Sequence, residues 1–180
     1  MITERLEFYI QCIVAKETVA LKNIYELMGK EVFSYAYTIS RDRQLAEDIA
    51  QDVFIKILSS ADSYKVGRNP KAWIMSITHN EAVDAIRKRK HFALSDLVEP
   101  VFSETSIDSF EENLTSEIHI EHYLSQLEPI QQEIIKLHLL SEISFREIAQ
   151  ILNITLGKVG WQYKRAVSQL QLLMKDEVMR

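Results

Sequence analysis

Two stretches of this chain place rings, amides and cations at helical spacing, and both suit a nucleic acid. Trp73, Ser76, Asn80, Asp84 and Arg87 recur at steps of three and four. On a helix they share one stripe, opposite Met75, Ala82 and Ile86. An outward ring beside hydroxyl, amide and guanidinium groups fits single-stranded DNA, because bases stack on the ring while donors hold phosphates or base edges. The plain alternative packs Trp73 under the preceding loop or the amino-terminal helices. Farther along, Lys158, Trp161, Gln162 and Arg165 share a face that fits a major groove. There Gln pairs with an adenine edge, and Lys or Arg with guanine or phosphate. Its alternative is a solvated face on an ordinary three-helix domain. A third stripe, Asp48, Gln51, Asp52 and Ile55, sets an isoleucine among polar groups. It reads as a partner surface, or as an acidic solvated face with one stray apolar residue.

Catalytic chemistry finds no such constellation. His79, His91, His119, His122 and His138 are scattered, and the one close pair, His119 and His122, falls in a polar tether. Cys12 is alone, which excludes a disulfide framework and a cysteine-based zinc site. With no Gly-rich phosphate loop either, neither enzymatic activity nor a metal or cofactor is expected. No run approaches the ~18 apolar residues of a membrane span. Met1-Ile2-Thr3-Glu4-Arg5 does not read as a signal peptide, so a cytoplasmic protein without membrane insertion is expected.

The elements that must hold these stripes read as helices, since 47% of the 180 residues are hydrophobic while only 4 are Gly and 3 are Pro. Apolar residues recur at helical spacing from Leu6 to about Tyr37, with a soft point near Gly29. Asp42 is placed to cap a helix running to about Leu58. Asn69-Pro70 starts another, cap then proline, which runs to about Lys90. A short helix is expected near residues 111–124, and Pro129 opens one reaching about Leu140. Ser144-Phe145-Arg146-Glu147 is a capping box. Asn153-Ile154 forms a turn, and Thr155 caps a last helix ending near Asp176. A short capped helix, a tight turn and a longer helix read as helix-turn-helix. Ile148, Ala149 and Leu152 are expected to pack on Val159, with Leu156, Val159, Tyr163, Ala166 and Leu170 as the core face of the last helix.

Charge divides the chain. The net of −5 argues against a simple nucleic-acid coat, yet it conceals strong segregation. Residues 63–91 carry seven cations and two acids, ending in Arg87-Lys88-Arg89-Lys90. From Phe92 to Glu128 there is no Lys or Arg, and nine acids accumulate. Residues 129–180 return to a net of +2. Two helical modules joined by an acidic tether follow from this pattern.

These residues carry a family resemblance. Ala46-Glu47-Asp48-Ile49-Ala50-Gln51-Asp52-Val53-Phe54 resembles the second-region signature of bacterial sigma factors. Pro70-Lys71-Ala72-Trp73-Ile74, Asn80 and Asp84 to Arg89 resemble the segment after it. Glu147-Ile148-Ala149, Leu152, Gly157-Lys158-Val159 and Arg165-Ala166 resemble the fourth-region helix-turn-helix. Order, spacing and length are similar to the extracytoplasmic-function (ECF) group, which keeps these two domains and a linker. The resemblance implies an all-α fold, with a region-two domain over residues 1–91, an acidic linker over 92–122 and a region-four domain over 123–180.

It also implies roles. Asp48, Gln51, Asp52, Phe54 and Ile55 would bind core RNA polymerase. Lys65, Arg68, Asn69, Trp73, Ser76, Asn80, Arg87 and Lys88 would hold the non-template strand of the minus-ten element, where a flipped base is captured without any bond being made or broken. Arg146, Lys158, Trp161, Gln162, Lys164 and Arg165 would read the minus-thirty-five element of promoter DNA as duplex. The acidic linker would occupy basic channels that later hold RNA, and an anti-sigma factor is a further implied partner. A helix-turn-helix regulator that binds duplex DNA without polymerase is the alternative. One departure stands out. The family's Gly-Thr-Val is usually followed by Lys-Ser-Arg, whereas Gly157-Lys158-Val159 is followed by Gly160-Trp161-Gln162. The promoter sequence it prefers is therefore left open.

Overall fold

The computed structural model describes residues 2–95 and 122–178, and side chains within 2–91 and 122–175. Helices dominate, and no strand occurs among the described residues. The acidic tether and most of the expected 111–124 helix lie outside them, although residues 122–125 are helical.

Leu6, Ile10 and Ile13 recur at i, i+4 and i+7 and bury one face of α1 (Ile2–Val14). The long apolar run then breaks at residues 15–19, not near Gly29 where the soft point is expected. Lys16 turns left-handed at φ 71°, and the amide of Glu17 reaches back to the carbonyl of Cys12 at 2.9 Å. This pattern closes a helix without a glycine. Gly29, the expected soft point, lies inside the unbroken α2 (Ala20–Ser40), with the Tyr25 ring beside it. Arg41 ends α2 in the left-handed region, its amide bonded to the Tyr37 carbonyl at 2.9 Å.

Asp42 caps α3 (Arg43–Ser60) as expected, Oδ1 accepting from the Leu45 amide at 3.0 Å. That bond, joined by the Arg89 guanidinium, holds the Asp42 carboxyl below its usual range. Asn69 Oδ1 accepts from the Lys71 amide at 3.1 Å and starts α4 (Pro70–Ser95). Ile24, Met28, Val32, Ile49, Val53, Ile57, Ile74 and Ala82 then fill one core among the four helices.

The second module begins with α5 (Pro129–Ile135), which continues as a wider π-type turn through Lys136–Leu140. Both bonds of the Ser144–Glu147 capping box are made, starting α6 (Phe145–Ile151). Asn153 turns left-handed at φ 52°, and Thr155 Oγ1 accepts from the Lys158 amide at 3.2 Å to open α7 (Leu156–Val178). Ile148, Leu152 and Val159 pack together as the helix-turn-helix reading requires. Leu156, placed in that core face, is instead 50% exposed in the first turn of α7.

The two modules touch. Tyr35 of α2 and Met75 of α4 share one apolar cluster with Ile134, Leu137, Ile143 and Ile148. Polar bonds rim it. The Tyr35 hydroxyl donates to Glu133 Oε2 at 3.0 Å, and His79 Nδ1 lies 3.2 Å from the same oxygen. Lys136 donates to Ser34 Oγ at 3.0 Å, and Arg41 meets Gln132. Lys71, buried, lies 3.4 Å from Glu142.

Candidate nucleic-acid interface

α3 presents its polar stripe outward. Asp48, Gln51 and Asp52 are exposed, and Ile55 is 63% exposed among them. Phe54 departs from the expectation. It is only 6% exposed, packed edge-on against Tyr25 with ring centres 5.1 Å apart. One step of 100° separates it from Ile55 and turns it toward α2, so it supports this surface from beneath. Beside it an apolar hollow of about 420 Å³ is lined by Thr18, Val19, Leu21, Lys22, Tyr25 and Phe54.

The loop before α4 is built on residues that the sequence reading passed over. Glu7 of α1 accepts from the Gly67 amide at 2.5 Å and from the Tyr64 hydroxyl at 3.2 Å. That hydroxyl also donates to the Arg68 carbonyl at 2.5 Å. Burial, with Glu7 adding to it, raises the Tyr64 hydroxyl to about 12, so it remains a donor at physiological pH. Gly67 sits at φ 80°, a left-handed conformation that a side chain would strain. Lys65 and Arg68 are exposed on the loop so formed. A carboxylate sixty residues upstream left no local signal in the sequence; Gly67 alone marked the turn.

On α4 the predicted stripe divides. Asn80, Arg87 and Lys88 are exposed. Trp73 is half-buried, its ring 5.5 Å from that of Tyr64, and it packs on the four-helix core. The packed alternative therefore describes Trp73 better than a free stacking platform does. Ser76 is also half-buried and donates to the Trp73 carbonyl at 2.7 Å. Asn69 is engaged with the second module, its Nδ2 lying 3.4 Å from Glu147 Oε2. Within the basic block, Arg87 pairs with Asp84 at 2.8 Å and Arg89 with Asp42 at 2.6 Å.

On the second module, Arg146, Lys158, Trp161, Lys164 and Arg165 are exposed. Gln162 is not: at 6% exposure, its Oε1 accepts from Gln131 Nε2 at 3.1 Å. Gln131 in turn accepts from the Glu128 amide at 3.2 Å. Gln162 thus ties α7 to the start of α5, and it is removed from the base-reading set. Its position one step from Trp161 turns it inward, and no sequence pattern revealed a glutamine partner 31 residues away. Among the described residues no cluster of three His, Cys, Asp or Glu is arranged to hold a metal ion, and no helix is long and apolar enough to cross a membrane.

Known proteins show the same two-part order. The family described as Sigma-70 region 2 matches residues 24–92, and Sigma-70, region 4 matches residues 119–170. ECF RNA polymerase sigma factor SigW of Bacillus subtilis (strain 168) is 26% identical over 172 residues, covering 87% of this chain and 90% of its own. RNA polymerase sigma factor YlaC of the same organism is 24% identical over 156 residues, covering 84% and 90%. Among solved structures, sigma factor RpoE of Bartonella quintana, in complex with the anti-sigma factor NepR, aligns with a TM-score of 0.70 at 27% identity, over 86% of this chain and 96% of that one. CnrH, in complex with the cytosolic domain of CnrY, aligns at 0.66 over 96% and 98%, and at 18% identity it speaks for the fold alone. With both regions present in order and relatives matched over most of their length, the chain belongs to the ECF group of RNA polymerase sigma factors.

Proposed function

We propose that this chain binds core RNA polymerase through α3, melts the minus-ten element with α4 and its preceding loop, and reads the minus-thirty-five element with α7. It acts by binding alone, in the cytoplasm, with no catalytic residue of its own. The observation that carries the reading is the coexistence, on one bundle, of an acidic outward stripe with an exposed isoleucine and an exposed Asn80–Arg87–Lys88 face. The first suits a protein partner, and the second a single strand. The domains are assigned as residues 1–91, 92–122 and 123–180. An anti-sigma factor of the kind seen with the RpoE relative is a partner of the same surfaces.

Promoter binding requires the two modules to part. Two elements named for positions 25 base pairs apart lie about 85 Å apart along a duplex, at about 3.4 Å per pair. Modules joined by direct hydrogen bonds do not span that distance. The 26 residues between 95 and 122 reach at most about 90 Å when extended. Parting the modules also releases Asn69 from Glu147 and exposes Lys71, adding polar groups beside the minus-ten loop. The tether, acidic throughout, is then positioned to occupy the basic path of nascent RNA.

Run-off transcription on genomic fragments tests the proposal. Purified core polymerase with this chain is expected to give discrete transcripts that core alone does not. Specific duplex binding by the chain without polymerase, and no transcripts with it, would instead mark a conventional regulator.

A further inference from the structure

Trp161 stands out on α7 because nothing about the fold requires it. The ring is 55% exposed, and the Arg165 guanidinium carbon lies 4.7 Å from its centre. Arg165 is also paired with Glu128, at 3.4 Å. One turn before Trp161 stands Gly157, and immediately before it Gly160; a Cβ added at either glycine meets no atom within 4 Å. The indole therefore rises from a floor of bare backbone. From Leu156 to Val167 the helix carries Lys158, Lys164 and Arg165 and no acid, and exposed Arg146 lies on the preceding helix. This charge favours a polyanion as the occupant over an ordinary protein surface.

We propose that Trp161 is the specificity-determining residue of α7 and reads the C5-methyl groups of thymines in the upstream duplex. The inference rests on α7 entering that duplex. A helix with its side chains is about 10–12 Å across, and a major groove about 12 Å wide. Two glycines thin the helix where the ring projects, so the ring reaches the base edges. An indole has no acceptor to offer adenine or cytosine, and its apolar surface finds one apolar partner on that floor, the thymine methyl. Arg165, stacked on the ring and tethered to Glu128, fixes the ring's orientation and supplies charge to the flanking phosphates. With Gln162 locked against Gln131, Trp161 is left to read by apolar contact on this face.

The test uses holoenzyme assembled from core polymerase and the full chain, on a promoter recovered by run-off transcription with its upstream element randomised. The wild type is expected to enrich thymine at one or two positions, and Trp161→Ser to lose that enrichment while keeping the wild-type melting temperature. Replacing those thymines with deoxyuridine removes only the methyl. It should weaken wild-type binding about fourfold per methyl, the effect of one buried methylene converted to a ratio. Trp161→Ser should be indifferent, and Trp161→Phe should keep part of the sensitivity. Enriched elements that lack thymine, or wild-type binding indifferent to deoxyuridine, or equal sensitivity in Trp161→Ser, would overturn the assignment of Trp161 alone. Absence of any upstream enrichment would overturn the reading of α7 as well.

Discussion

The chain has two tryptophans, one on each of the two helices proposed to face DNA, and the structure uses them in opposite ways. Trp73 is turned half into the α1–α4 core against Tyr64, where it braces the loop that carries Lys65 and Arg68. Trp161 is turned out, with a guanidinium on its ring and glycines around it. On α4 the ring is scaffold, and Asn80, Arg87 and Lys88 are the exposed groups proposed to meet the strand. On α7 the glutamine is scaffold, and the ring faces outward. The difference matches the two proposed targets. A melted strand offers donors, acceptors and stacking faces to flexible contacts, whereas a duplex groove offers a fixed pattern of edges and methyls.

Substitutions can break this comparison. Trp73→Ala should cost about 2 kcal/mol of unfolding free energy, roughly half the value for a fully buried aromatic, as read by chemical denaturation. The matching Trp161→Ala should cost less than about 0.5 kcal/mol; equal losses would erase the contrast. On α3, Asp52→Arg should weaken core-polymerase affinity about tenfold in a binding titration, because it reverses charge in the exposed stripe without touching the core. Asn80→Ala and Arg87→Ala should each lower open-complex formation several-fold and leave core affinity within about twofold, separating the strand-facing residues from the α3 surface.

Gly160→Ala sharpens the comparison from the other side. The added methyl enters open space on a helix, so stability should rise by about 0.5–1 kcal/mol in thermal melts. Upstream-element binding should fall if the helix must lie close to the groove. The smallest effect concerns the Asp42 cap. Its folded carboxyl titrates below the ordinary value near 3.8, so its contribution is complete above that value and is lost as pH falls through the lower folded one. The melting-temperature gap between wild type and Asp42→Asn should therefore hold steady above about pH 4 and narrow as pH falls below it.

What could be read from the chain was local chemistry. Asp42, Asn69-Pro70, the Ser144–Glu147 box and Thr155 each announce a helix start through a side chain that bonds within three residues, and each does so here. The break after α1 was hidden because Lys16 adopts the left-handed conformation that glycine usually marks, while Gly29 drew attention to a helix interior. Phe54 and Gln162 were misplaced for a different reason. Helical stepping gives the direction of a side chain but not the width of the buried face, and that width is set by Tyr25 and Gln131 on other helices. The seam between the modules had no local signal at all. Met75 was correctly read as inward, yet it joins Tyr35 in the cluster with Ile134 and Ile143 of the other module rather than the main four-helix core.

Permanganate footprinting of a recovered promoter tests the central claim most directly, because it detects unpaired thymines. Reactive thymines in the minus-ten element are expected only when core polymerase and this chain are both present, and they should fade with Arg87→Ala. Reactivity with core alone, or tight duplex binding by the chain alone without any reactive thymine, would contradict the account.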